Sequence, residues 1–294
     1  VIRARFADAE FFYKEDKGQP LESYLPRLGT LTFETNLGSI LDKTRRLEQL
    51  APQIGAMVGL SDSEVATVRR AATLCKADLA TRMVVEFTSL QGIVGREYAR
   101  MGGEPPEVAD TILEHYLPRG QGDTLAHSRE GLVLGLADRL DSLVGLFAIK
   151  LAPTGSTDPY GLRRAALGLV QNLIGADQSF SLTQGLGAAA ELLPVPASQE
   201  VISEVYDFVV GRLRGLLRDE GYRYDVVEAV LAERGDNPAS ASHAVRQLSE
   251  WVKQDHWSDL LHAYGRCKRM ARRYKTTYGL DLGSFIEPAT RELS

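Results

Sequence analysis

The sequence predicts a mainly α-helical, multi-domain protein. Apolar residues recur at spacings of three and four through most of the chain, which is the period of helices that bury one face. Alternation typical of strands is limited to short pieces near residues 1–12 and 30–35. Apolar residues make up 44% and charged residues 25% of the 294 residues, which is ordinary for a globular protein with a sizeable core. We therefore expect an all-α fold.

The clearest predicted helix begins at Ser61. Ser61 and Glu64 form a capping-box pattern, in which each side chain satisfies a backbone N–H of the first turn. The apolar face that follows comprises Val65, Val68, Ala72, Cys75, Leu79, Met83, Phe87, Leu90, Val94 and Tyr98. Such a long run predicts a break, for which Gly92 or Gly95 is the candidate. The charged residues that fall off this face are Lys76, Asp78, Arg82 and Glu86.

Further helices are predicted after Pro105-Pro106 and from about Glu130 to Phe147. Another begins near Asp158, which can act as N-cap with Pro159 at the first helical position. Loop-forming clusters at 151–159, 192–198 and 233–240 punctuate the chain. They predict four parts, which are an N-terminal segment (1–30), a helical domain (31–150), a helical body domain (151–235) and a C-terminal helical domain (236–294).

The bulk composition restricts the possible functions. The formal net charge is −5, so any contact with nucleic acid must come from a local basic patch. Cys75 and Cys267 form no CxxC motif, which fits a reducing compartment. No apolar run approaches the ~18 residues of a membrane span, and we expect a cytoplasmic protein with no membrane partner. Because the chain starts at Val1 without an initiator Met, we expect it to be a piece of a longer protein.

Three stretches suggest a lost metal site, namely AATLCKADLA (71–80), EHYLP (114–118) and ADRLDSL (137–143). They resemble the helical frame of metal-dependent phosphohydrolases of the His…His-Asp…Asp type, whose central His-Asp pair holds a metal ion. Here Cys75 and Lys76 replace that pair, and no histidine precedes His115. Asp138 matches the remaining carboxylate ligand. A lysine ammonium repels a divalent cation, so we expect a degenerate domain over 31–150 that holds no metal.

The other polar residues of this relict site are expected to be structural. Asp138 and Asp141 are interpreted as helix-surface charges or as hydrogen-bonding groups of the remnant site. His115 and His127 are interpreted as hydrogen-bonded structural histidines. An active metal-dependent phosphohydrolase or nuclease remains the alternative function at this stage.

Several long stretches carry a second resemblance: ARFADAEFF (4–12), FETNLGSILDKTRRLEQLA (33–51), KADLATRMVVEFTSLQGIVGREYA (76–99) and PTGSTDPYGLRRAALG (153–168). They are similar to the beta subunit of the bacterial heterotetrameric glycyl-tRNA synthetase, strongly to about residue 170 and more loosely beyond. The resemblance implies that the chain is the middle and C-terminal part of such a subunit, with the degenerate domain at 31–150.

The same resemblance implies the function and the partners. tRNA(Gly) and the alpha subunit are the expected partners, and DNA is not expected. The alpha subunit is expected to carry the glycine and ATP site with its Mg²⁺, so this chain should contain no catalytic residue and no cofactor. A purely architectural module that docks on a partner protein is a further alternative.

A basic stretch at 262–278, HAYGRCKRMARRYKTTY, is the main candidate for tRNA contact. On a helix, Arg266, Arg269 and Arg273 share one face, and Lys268 and Arg272 lie beside it. Arginines bind phosphates in a bidentate manner, and an exposed ring such as Tyr274 stacks on unpaired bases. The stretch resembles the opening helices of the anticodon-binding domain shared with arginyl-tRNA synthetases, which implies a partial domain at 236–294. The alternative is a solvated basic helix face.

Arg163 and Arg164 form a second candidate for tRNA contact, one turn into the helix predicted after Asp158. A helix N-terminus with two arginines can hold a phosphate or a partner's carboxylate. The alternative, which we favour, is a tight structural joint fixed by Pro153, Gly155 and Pro159. The segment lacks the GKT or GKS end of a P-loop, so ATP binding there is not supported.

Overall fold

The computed structural model describes residues 2–120 and 122–272 and confirms the all-α prediction for them. The α-helices are α1 (Ile2–Asp16), α2 (Ile40–Met57), α3 (Asp62–Leu74), α4 (Arg82–Glu86), α5 (Ile93–Met101), α6 (Pro106–Glu114), α7 (Arg129–Ala148), α8 (Leu162–Gly175), α9 (Leu182–Glu191), α10 (Gln199–Asp219), α11 (Tyr224–Arg234), α12 (Pro238–Trp251) and α13 (Trp257–Ala271). Short 3₁₀ helices span Leu21–Thr30, Ala77–Ala80 and Thr88–Leu90.

In the part of the chain that the structure describes, extended structure is confined to one small hairpin and an isolated bridge between Thr154 and Thr157. Strand β1 (Thr32–Glu34) pairs antiparallel with β2 (Gly38–Ser39), so the strand expected near 30–35 is confirmed. The strand expected near 1–12 is wrong, because those residues lie in α1. Good helix formers and a Glu10–Lys14 pair at 2.6 Å, four residues apart, favour a helix there.

The chain consists of two compact units, Val1–Arg246 and Gln247–Ser294. The four parts predicted from the sequence, with boundaries at 30, 150 and 235, are not tested by this division and stay a prediction. None of the described helices is both long enough and apolar enough to span a membrane.

Helix α7 is the centre of the first unit. Nearly every residue of α7 is buried, on all sides of the helix, which is the pattern of a helix enclosed by others. Helices α2, α3, α6, α8, α9 and α10 pack against it. Its fully buried leucines include Leu134, Leu136, Leu140 and Leu143. Each buried leucine of this kind stabilises the fold by about 1.5–3 kcal/mol relative to an exposed one.

The capping predictions have mixed outcomes. The Ser61–Glu64 capping box is present at the start of α3, and a second, formed by Ser39 and Asp42, begins α2. Asp158 does accept hydrogen bonds from the first amides of α8, at 2.8 Å from Leu162 N and 2.9 Å from Arg163 N. However, α8 begins only at Leu162, so the placement of Pro159 inside the helix is wrong.

The long helix predicted from Ser61 has the break expected at Gly92, where φ is +77°, and it is also interrupted earlier. Helix α3 ends at Leu74, and the chain continues through a 3₁₀ turn at Ala77–Ala80 before α5 starts after Gly92. This turn rotates Lys76 and Asp78 into the interior, where they are 5% and 0% exposed. Their position off the predicted apolar face therefore gave no sign of this burial, because tertiary contacts outweigh the helical periodicity.

A buried ion network joins α2 to α7. The Asp141 carboxylate on α7 lies 2.8 Å from Lys43 Nζ and 2.5 Å from Arg46 Nε, both on α2. Lys43 Nζ also lies 3.0 Å from Asp138 Oδ1. Asp141, Lys43 and Arg46 are all buried, so of the two interpretations of Asp141 the surface charge is wrong and the hydrogen-bonding group is supported. Buried charges of this kind are tolerated only when they are paired.

Candidate functional site

Lys76 occupies the centre of the predicted relict site. Its Nζ lies 2.9 Å from His115 Nε2 and 2.9 Å from Asp138 Oδ2, and 4.3 Å above the centroid of the Tyr116 ring. An ammonium group has three N–H donors, and these three neighbours use them. The structure thus brings together the predicted residues Lys76, His115 and Asp138, from the turn after α3, the end of α6 and the middle of α7.

His115 serves as a neutral acceptor for the lysine. Its Nδ1 lies 2.7 Å from the carbonyl oxygen of Ile112, and a carbonyl can only accept, so Nδ1 carries the proton. The lone pair of Nε2 therefore accepts from Lys76. Burial first, and then the Lys76 charge, hold the pKa of His115 well below its usual value. The imidazole is a structural hydrogen-bonding group, as the sequence suggested.

Asp138 is an ionised carboxylate between two ammonium groups. Burial alone would raise its pKa, but Lys43 and Lys76 outweigh that effect and hold the pKa of Asp138 well below its usual value. One carboxylate oxygen faces each lysine, at 3.0 Å from Lys43 and 2.9 Å from Lys76. Of the two interpretations of Asp138, the structure supports a hydrogen bond in the remnant site.

Cys75 lies next to this cluster in sequence, but its thiol does not join it. The Sγ atom is fully buried and lies 3.3 Å from the carbonyl oxygen of Ala72. Burial raises the pKa of the Cys75 thiol to about 12, so the group is a neutral thiol at neutral pH. Among the described residues, no group of three or more His, Cys, Asp and Glu side chains is arranged to hold a metal.

Lys76, His115, Tyr116 and Asp138 together are called the Lys76 cluster below. A cleft of about 430 Å³ opens beside this cluster. Its walls include His115, Tyr116, Arg119, Asp138, Tyr160 and Arg164. Gly92 allows one wall to form, because its φ is +77° and a Cβ there would come within 2.5 Å of the Tyr116 ring. Arg119 is fixed on that wall by hydrogen bonds of 3.0 and 2.6 Å to the carbonyl oxygens of Ser89 and Gln91.

A second arginine of the cleft has a structural role. The Arg139 guanidinium donates to the carbonyl oxygens of His115 and Gly135 at 3.0 Å, and of Leu117 at 2.7 Å. The His115 and Leu117 carbonyls follow the end of α6, where helical N–H partners are lacking, and Gly135 lies one turn earlier in α7 itself. Burial lowers the pKa of Arg139 to about 10, which still leaves it charged at neutral pH.

The two arginines at the start of α8 have different surroundings. The Arg163 guanidinium turns back onto its own loop, with Nη2 at 2.7 Å from the Gly155 carbonyl oxygen and Nη1 at 3.9 Å from Asp158 Oδ2. This geometry favours the structural joint. Arg164 is exposed at the cleft, and it makes no hydrogen bond or ion pair within the described ranges.

The basic stretch forms helix α13 in the second unit. The predicted residues Arg266, Lys268, Arg269 and Arg272 are all exposed, and none of them pairs with a carboxylate in the portion described. The Tyr264 ring is 59% exposed, with Lys268 Nζ 5.9 Å from its centroid. The remaining predicted tRNA-binding residues, Arg273 and Tyr274, lie outside the described residues.

Some site residues were missed by sequence reasoning. Lys43 and Arg46 had a signal, because they share a helix face with the apolar Leu47 and Leu50 and are therefore directed inward. Arg119 had none, since its anchors are backbone carbonyls about thirty residues away in sequence.

Comparisons with known proteins agree with the resemblance seen in the sequence. A family model described as glycyl-tRNA synthetase beta subunit matches residues 1–232. A glycine–tRNA ligase beta subunit of Moorella thermoacetica is 44% identical over 299 residues, which cover 100% of this chain and 43% of that protein. The corresponding subunit of Clostridioides difficile is 43% identical over 277 residues, covering 93% of this chain and 40% of that protein.

A more distant relative gives the same picture. The glycine–tRNA ligase beta subunit of Haemophilus influenzae is 40% identical over 296 residues, covering 100% of this chain and 43% of that protein. The chain therefore spans about two fifths of the length of the curated relatives that it matches.

The Lys76 cluster leads to a prediction about metal content. We expect the purified chain, after incubation with Zn²⁺, Mn²⁺ or Mg²⁺ and removal of free metal, to hold well below one ion per molecule by elemental analysis. The reason is that an ammonium group already stands between the imidazole and the carboxylate. About one tightly bound ion per chain, lost in an Asp138→Asn variant, would contradict this expectation.

The buried His115 leads to a prediction about pH. The folded pKa of His115 is lowered, so below about pH 6.5 the unfolded chain takes up a proton that the folded chain does not. Stability from this group is therefore lost as pH falls below about 6.5, by up to about 1.4 kcal/mol per pH unit. We expect His115→Gln to lose about 1 kcal/mol less than the parent chain between about pH 7 and about pH 5.5 in urea unfolding.

Asp78 acts in the opposite direction in the same pH range. Burial raises its pKa to about 6, so the folded chain gains a proton there as pH falls. Because Asp78 is present in both proteins, the comparison of His115→Gln with the parent chain isolates the histidine. Equal losses of stability in the two proteins would show that His115 titrates normally in the fold.

Proposed function

Since the chain belongs to the glycyl-tRNA synthetase beta subunit family, we propose that it is a tRNA-binding part of such a subunit. In this proposal it supports the ATP-dependent attachment of glycine to tRNA(Gly), and a separate alpha subunit performs the chemistry. The partners are then tRNA(Gly) and the alpha subunit, in the cytoplasm. Residues 31–150 act as a degenerate phosphohydrolase-like domain that has kept its helical frame without its reaction.

The observation that carries this proposal, beyond family membership, is the exposed basic face of α13. Four cationic side chains lie on about two turns of this helix, and in the described residues no carboxylate neutralises them. Tyr264 provides an exposed ring on the same helix. Cationic side chains interleaved with aromatic rings suit the phosphates and unpaired bases of RNA.

The division of labour is supported by the chemistry of the Lys76 cluster. His115 is neutral, with both nitrogens engaged, and Asp138 is held ionised by two lysines. Neither group is available as a general acid or base, because each already has its partners. A glycine and ATP site with its Mg²⁺ belongs, in this proposal, to the alpha subunit.

The candidate tRNA contacts differ in their support. Arg266, Lys268, Arg269 and Arg272 are supported by their exposure on α13, and Arg273 and Tyr274 are proposed from the sequence alone. Arg164 is supported by its free guanidinium at the cleft. Arg163 receives the least support, because its guanidinium binds its own loop.

The α13 contacts lead to a test with tRNA(Gly). We expect Arg266→Ala and Arg269→Ala each to weaken binding. Each should also make the slope of log affinity against log salt shallower by about 0.7–0.9. The reason is that binding releases fewer counterions when one phosphate contact is missing. The measurement is a salt series of binding titrations by fluorescence anisotropy.

Lys253→Ala is the matched control for these variants. Lys253 is also exposed in the second unit, but it pairs with Glu250 at 2.8 Å and lies outside the basic face. Its removal should leave affinity and slope nearly unchanged. If a folded Arg266→Ala/Arg269→Ala variant binds tRNA(Gly) with the parent affinity and slope, α13 is only a solvated surface.

A further inference from the structure

We infer that the cleft beside Lys76 is a binding site for the phosphate group of a nucleotide. The site consists of Arg119 and Arg164 on its walls, the Lys76 cluster at its base and the Tyr160 ring at its rim. This inference goes beyond the tRNA contact proposed for α13 and does not depend on it.

Arg119 supplies a pre-positioned guanidinium. Two of its five N–H donors bind the carbonyl oxygens of Ser89 and Gln91, and its guanidinium carbon lies 5.7 Å from the centroid of the Tyr116 ring. Three donors remain, and the one on Nε is buried without an acceptor among the described residues. A fixed guanidinium with spare donors loses little entropy when it binds a phosphate.

Arg164 supplies a second, adjustable guanidinium. It lies one turn into α8, and its Nη2 is close to Gly161, where an added Cβ would come within 2.9 Å of it. Because its side chain is exposed and makes no ion pair or hydrogen bond in the described parts, it is free to close over a ligand. Both guanidinium groups line the same cleft, and a guanidinium group can bind phosphate oxygens in a bidentate manner.

The charge around the cleft also favours an anion. The cationic side chains at or next to the cleft are Lys43, Lys76, Arg119, Arg139 and Arg164, and the carboxylates are Asp78, Asp138 and Asp141. The cationic side chains outnumber the carboxylates, and one of these cations is Lys76. Asp138 and Asp141 are paired with lysines and with Arg46, and Asp78 accepts hydrogen bonds from the backbone amides of Gly92 and Gly95, so these carboxylates repel an incoming phosphate only weakly.

The size and the aromatic lining indicate a nucleotide rather than a bare anion. A volume of about 430 Å³ falls in the range of small-molecule sites and accommodates a sugar and base as well as the phosphate. Tyr160 is 42% exposed at the rim and offers a ring face on which a base can stack. Since His115 and Asp138 are engaged by Lys76, the ligand is bound without being cleaved.

The nucleotide has two possible sources, which are a free nucleotide and a nucleotide within RNA. The probes are adenosine 5′-monophosphate, adenosine, and a short single-stranded RNA without terminal phosphates. Affinities are measured by calorimetry for the parent chain, for Arg164→Ala and for Arg223→Ala. Arg223 is a matched control, because it is exposed, lies outside the cleft and pairs with Asp225 at 2.6 Å.

We expect Arg164→Ala to weaken binding of the phosphate probe at least about tenfold, and Arg223→Ala to change it less than about twofold. Adenosine should bind at least about tenfold more weakly than its monophosphate if the free nucleotide is the occupant. A tenfold loss seen only with the RNA probe identifies a nucleotide of RNA instead.

RNA that binds only through α13 is recognised because Arg164→Ala leaves its affinity unchanged. If neither the monophosphate nor the RNA loses affinity in Arg164→Ala relative to Arg223→Ala, the cleft is not a phosphate site. This result would leave the proposed tRNA contact at α13 intact, so the two proposals fail separately.

Discussion

The first unit depends on one buried cation, the ammonium group of Lys76. It contacts His115 at the end of α6, Asp138 in α7 and the ring of Tyr116, so it ties together elements that are far apart in sequence. Asp138 continues the network to Lys43 on α2. Burying a charge costs several kcal/mol unless it is paired, so each member of the network fixes the position of the next.

This cation also determines what the site can do. A divalent metal would need the imidazole and the carboxylate that Lys76 already holds, and no neighbouring group in the described residues replaces them. The positive charge at the base of the cleft belongs to a side chain of the protein and not to a bound metal ion. Such a site suits the binding of an anion and not the activation of water.

Local signals in the sequence predicted much of the fold. The helix start predicted from the capping box at Ser61 and the buried helix predicted from the periodic leucines of α7 are both confirmed. Helix starts and buried faces depend on residues only a few positions apart. The burial of Asp141 was missed, because it depends on Lys43, which lies 98 residues away in sequence. The same holds for Lys76, whose apparent exposure on an ideal helix is reversed by the 3₁₀ turn that follows α3.

The candidate site was predicted in part for the same reason. The sequence indicated that Lys76, His115 and Asp138 belong to one site, because matching stretches placed them at the positions of a known ligand set. It gave no sign that Arg163 binds its own loop or that Arg119 is fixed by carbonyl oxygens. Backbone acceptors leave no trace in residue types, so hydrogen bonds to them are not predictable from sequence.

The coupling energy between Lys76 and Asp138 tests the central claim most directly. It is obtained from the unfolding free energies of the parent chain, Lys76→Met, Asp138→Asn and the double variant. If the buried ammonium holds the site together, the loss of stability in the double variant should be smaller than the sum of the two single losses by about 2–3 kcal/mol. This is the upper range for residues in contact. A coupling below about 0.5 kcal/mol, as found for exposed ion pairs, would contradict this account.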